Sequence, residues 1–140
     1  MTVPPGADNA AFTVTTAAVT APVFGMVTAS FGGAAQSHNL TVRPIRAQTL
    51  TLASTRVRGG VTVGGSVRLE CPAAPGPVAV TFTSSNPAIA STTLPGITIA
   101  AGATAGSFAV RTSAVTSETA VTIYAWVFGV RKGVTLTVTP

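Results

Sequence analysis

A chain of 140 residues, 46% hydrophobic and only 8% charged, has room for one ordinary domain or two small ones and must cover its surface with hydroxyls and backbone. The net charge of +5 arises from a shortage of acids, since Asp8, Glu70 and Glu118 are the only carboxylates and His38 is the only imidazole. That inventory leaves little for acid–base or metal chemistry, and eight basic residues are too sparse for the stripe of a nucleic-acid binder.

The 24 Thr, 19 Val and 5 Ile make more than a third of the chain β-branched, and 14 Gly and 10 Pro punctuate it. This composition predicts an all-β protein. No apolar run reaches the ~18 residues of a membrane-spanning helix, so no membrane insertion is expected. The start, Met1-Thr-Val-Pro-Pro-Gly6, lacks the n- and h-regions of a signal peptide. Either the protein stays where it is made or the chain is a piece of something longer. A single cysteine, Cys71, rules out an internal disulfide and leaves the compartment open.

The first 44 residues are best read against the last 43. At an offset of 96 positions, Thr2–Pro44 aligns with Thr98–Pro140 without a gap, and 15 of 43 pairs are identical. The identities include Gly6/Gly102, Phe12/Phe108, Val14/Val110, Gly33/Gly129, Leu40-Thr-Val42 on Leu136-Thr-Val138, and Pro44/Pro140. Thr/Val bias alone does not put Gly, Phe and Pro landmarks in one register. The repeat is therefore about 96 residues, with residues 45–140 a complete unit and residues 1–44 the C-terminal half of another.

Along the complete unit, apolar residues alternate as half-buried strands require. Leu50 and Leu52 share one face. Val67, Leu69 and Cys71 follow, opposite Ser66, Arg68 and Glu70, and then come Val78, Val80 and Phe82. After the turn Ser84-Ser-Asn-Pro87 come Ile97/Ile99, Phe108/Val110, Val121/Ile123/Ala125/Val127 and Val134/Leu136/Val138. Gly59-Gly60, Gly64-Gly65, Pro75-Gly76-Pro77, Pro95-Gly96 and Gly102 read as connections. Seven or more short strands in such a length predict an antiparallel β-sandwich.

Val63-Gly-Gly-Ser-Val67, Ser84-Ser-Asn-Pro-Ala-Ile-Ala90, Ile97-Thr-Ile-Ala-Ala-Gly102 leading to Phe108, and the closing Val134-Thr-Leu-Thr-Val138 carry a resemblance. The chain resembles the immunoglobulin-like domains that recur in tandem in bacterial surface and secreted proteins, over residues 46–140 fully and 2–44 as a half unit. The resemblance implies an immunoglobulin-like sandwich and a spacer or adhesive role outside the cell, with neighbouring repeats or other copies as partners and no cofactor. Its motifs mark strands and turns, not a site. Immunoglobulin domains often pair a cysteine at the Cys71 position with one on the sixth strand, where this chain has Ile123 and Ala125 instead. Cys71 is then expected as a buried, inert thiol.

Catalysis has no visible constellation, and the chain reads as non-enzymatic: no clustered acids, no phosphate loop and no nucleophile elbow. His38 aligns with Val134 and reads as a partly exposed edge residue; Asn39-Leu-Thr41 is formally a glycosylation sequon, a weak pattern. Arg43, Arg46, Arg56 and Arg58 make a candidate basic patch for polyanions, set against the plainer use of Arg for solubility and for spoiling strand edges. Tyr124, Trp126 and Phe128 alternate with the core positions of their strand and predict an outward aromatic row suited to carbohydrate or a protein partner. The copy has Thr28, Ser30 and Gly32 there, so the fold does not demand the row. A register slip of one residue, or packing under a loop, would instead put the rings to structural use.

The half unit has a face with nothing in its own sequence to cover it. Three resolutions are open: the chain is cut from a longer tandem protein, residues 1–44 pack on the complete unit, or they pair with another copy as a swapped dimer or fibre.

Overall fold

The computed structural model describes residues 2–140, and among them every regular element is a strand. They are β1 (Val23–Phe31), β2 (Ala34–Val42), β3 (Ala47–Leu52), β4 (Arg56–Arg58), β5 (Thr62–Leu69), β6 (Val78–Ser84), β7 (Ala90–Thr92), β8 (Gly96–Ile99), β9 (Ala105–Thr112), β10 (Thr119–Val127) and β11 (Val130–Thr139).

Three sheets result. β1 and β2 form an antiparallel hairpin of their own, a five-stranded sheet runs β4-β11-β10-β6-β8, and a four-stranded sheet runs β3-β5-β9-β7. All ladders are antiparallel except that of β4 on β11. Leu50, Val67 and Leu69 of the four-stranded sheet share one core with Val78, Val80, Phe82, Ala125 and Val127 of the five-stranded sheet. A second cluster joins Ala90 and Val110 to Val121, Ile123, Leu136 and Val138. The molecule is thus all-β with several antiparallel sheets, and the two larger ones enclose their cores in an arrangement consistent with a β-sandwich.

The period of two accounts for these cores. In β10 the side chains of Val121, Ile123, Ala125 and Val127 are fully buried while Thr122, Tyr124 and Trp126 lie on the opposite face. Phe82 and Phe108 stack with ring centroids 4.5 Å apart and planes at 29°, joining the two sheets.

Three local expectations are corrected. Gly64-Gly65 lies inside β5 and not in a connection; an added Cβ at Gly65 would stand 2.5 Å from the Phe108 ring, so the glycine admits that ring. Cys71 is exposed, because β5 stops at Leu69 and the alternation does not carry past it into Cys71-Pro72. Phe128 is not on the aromatic face. It occupies the first position of the two-residue turn between β10 and β11, with φ of 46°, and packs against the core instead. Two short strands, β4 and β7, were invisible to periodicity: three residues show no pattern.

The two stretches related by the offset of 96 share their local geometry. Val23↔Val42 through Phe31↔Ala34 and Thr119↔Val138 through Val127↔Val130 are the same register. Both hairpins close with two successive positive φ angles, 58° and 83° at Gly32-Gly33 and 46° and 79° at Phe128-Gly129, the conformation that favours the glycine kept at the second position. The turn bond from Ala7 N–H to the Pro4 carbonyl, 3.1 Å, has its counterpart from Ala103 to Ala100 at 3.0 Å.

Candidate functional site

Three surfaces hold the side chains singled out above. The first is the outer face of β10, where Tyr124 and Trp126 stand half-buried on one side of the strand. Pairing of Trp126 with Arg131 across the hairpin brings the guanidinium over both rings, 4.9 Å from the Tyr124 centroid and 5.8 Å from that of Trp126. The indole N–H donates to Thr83 Oγ1 at 2.9 Å, which ties the ring to the neighbouring strand β6. Composition and period placed Tyr124 and Trp126 here. Arg131 was missed because its pairing depends on the hairpin register, which Gly129 alone announces.

The second comprises the arginines. Arg56 and Arg58 flank half-buried Val57 on β4, the edge of the five-stranded sheet, and share its exposed side. Arg56 makes a two-pronged ion pair with Glu118, whose loop precedes β10. Both side chains are more than half exposed, so the pair is worth at most about 1 kcal/mol. Arg43 and Arg46 are exposed in the connection between β2 and β3. Arg43 lines a shallow cavity of about 240 Å³ with Val42, Ile45, Cys71, Pro72 and Phe128.

The third is the inner face of the β1–β2 hairpin. With residues Phe12 and Val14 of the preceding segment, Val27, Ala29, His38 and Leu40 line a groove of about 430 Å³. Phe12 and Val14 are exposed at 59% and 47%, whereas Val110, which aligns with Val14 at the offset of 96, is fully buried. Residues 9–16 align with β9 yet form no strand. The reason is pairing: β9 is built between β5 and β7, and residues 9–16 have no such neighbours. The opposite face of the hairpin is mostly polar but carries Phe24 and Met26, 79% and 67% exposed.

Among the described residues no three His, Cys, Asp or Glu side chains come together, and no helix is long and apolar enough to cross a membrane. No protein-family model and no curated protein matches the chain.

Proposed function

We propose that the chain is a non-enzymatic, immunoglobulin-like repeat module that spaces or presents other parts of a bacterial extracellular or surface protein. The chain order of the strands supports the immunoglobulin-like reading. The sheet β3-β5-β9-β7 follows the A-B-E-D order, and β11-β10-β6 follows G-F-C, with β4 and β8 as added edge strands. Equal registers, the same two-residue turn with successive positive φ angles, and matching turn bonds at the offset of 96 support the tandem arrangement.

One contact carries the mechanical part of the reading. β4, near the start of the unit, lies parallel to β11, at its end, with Thr137 N–H donating to the Thr55 carbonyl and Gly59 N–H to that of Thr139, both at 2.8 Å. Tension between the two ends pulls these parallel strands past each other along their length. Their hydrogen bonds then bear the load together rather than opening one after another, as suits a spacer. A carbohydrate-binding role for Tyr124 and Trp126 has weaker support, because Arg131 already lies over both rings.

Force spectroscopy on the full chain, pulled from its two ends, tests the proposal. A spacer unfolds residues 45–140 at clearly higher force than the β1–β2 hairpin, and Val57→Pro, which removes one β4 donor, lowers that force. Opening of both parts at the same low force would remove the mechanical reading.

A further inference from the structure

The groove on the half unit has a counterpart elsewhere in the same molecule, and the counterpart is filled. The offset of 96 carries Phe12, Val14, Val27, Ala29, His38 and Leu40 onto Phe108, Val110, Ile123, Ala125, Val134 and Leu136. There Phe108, Ala125 and Val134 pack with Leu50 of β3, Val67 of β5, and Val80 and Phe82 of β6, with Phe82 stacked on Phe108, while Val110, Ile123 and Leu136 pack with Leu52 of β3, with Ile89 and with Ala90 of β7. Residues 9–16 lack the hydrogen-bonding neighbour that β5 provides to β9 through the ladder from Thr62↔Arg111 to Arg68↔Ala105. Two separate deficits of the half unit, an uncovered apolar face and an unpaired backbone, are met in the complete unit by one segment, β3 to β7.

We propose that the groove is the seat of the N-terminal half of a further repeat unit, a segment patterned as residues 45–97 and joined ahead of Thr2. One of its strands pairs with residues 9–16 as β5 does with β9, and an apolar ring at the Phe82 position stacks on Phe12. Phe12, Val14, Ala29 and Leu40 are unchanged from their copies, and Val27 stands for Ile123, so the seat keeps nearly the same volume. The one polar departure is His38 in place of Val134, a half-buried position at the rim of the core. Exchange of this segment between copies of the chain gains nothing, because each seat filled on one copy empties the face of β9–β11 on another. The proposal rests on the tandem-repeat reading above and adds the identity of the missing cover.

The test is a fusion in which a second copy of residues 45–97 precedes Thr2 of the full chain. Amide hydrogen exchange is followed for residues 9–16 and for β1–β2, with the β10–β11 amides as internal reference. In the fusion the amides of residues 9–16 and of the hairpin slow by on the order of 100-fold or more, and Phe12→Ala in the fusion reverses much of that slowing. Chemical unfolding gives a second measurement, since the fusion should expose markedly more surface on unfolding than the chain alone. Unchanged exchange at residues 9–16 while β10–β11 stays protected would overturn the proposal, and would leave the mechanical reading of residues 45–140 standing. Protection that appears in the unfused chain and grows with its concentration would assign the groove to a second copy, and would equally overturn it.

Discussion

Residues 2–44 and 98–140 carry the same landmarks and diverge where their surroundings diverge. Their hairpins agree in register and in turn angles, because each contains both partners of its ladder and its own turn. The segments before the hairpins disagree. Residues 105–112 form β9 between β5 and β7, whereas residues 9–16, with the same Phe and Val landmarks, form no strand. A two-residue turn and alternation suffice for a hairpin's shape, while a strand whose neighbours lie far away in sequence exists only where they are supplied.

Substitutions at aligned positions sharpen this contrast. The largest difference is expected at the leucine shared by both hairpins. Leu136 is fully buried, so Leu136→Ala should cost about 2–5 kcal/mol, read as a lower urea midpoint of the Trp126 emission. Leu40→Ala empties only a groove wall and should change the stability read from that midpoint by no more than about 0.5 kcal/mol. Equal losses at the two positions would mean that Leu40 is packed as tightly as Leu136.

A smaller difference is expected at the shared threonine. Thr112 is buried; its Oγ1 donates to the Val61 carbonyl at 2.7 Å and accepts from the Val61 N–H at 3.1 Å. Thr112→Val should therefore cost about 1–3 kcal/mol in the same unfolding experiment, while Thr16→Val, at an exposed position, should cost almost nothing. The smallest effect concerns Glu118, whose aligned residue is Pro22. Glu118→Gln weakens the exposed pair with Arg56, and the expected loss of less than about 1 kcal/mol should shrink further in molar salt.

Residues 45–140 were legible wherever alternation ran long enough to define a face. Val121 to Val127 were placed on the core side by period alone, and Tyr124 and Trp126 opposite them. The same rule overreached at both ends of a pattern. It carried Cys71 two residues past the end of β5 and Phe128 into a row that the turn interrupts, because periodicity does not mark where pairing stops. Gly64-Gly65 read as a connection because paired glycines usually are one; here the ring of Phe108, distant in sequence, requires Gly65 within a strand. Of the candidate surfaces, the aromatic pair was visible in one strand, but its cation came from the partner strand. The groove was foreshadowed only by the alignment at the offset of 96, which left residues 1–44 with an apolar face that their own sequence does not cover.

The contact between β4 and β11 also sets a ratio of lengths. The ten residues of β11, the longest strand, run about 33 Å. Drawn out straight, residues 45–140 reach roughly 320–345 Å. A row of such units would hold most of its contour in reserve, each one adding about nine times that strand's length when it yields and so cushioning whatever lies beyond it against a sudden jerk.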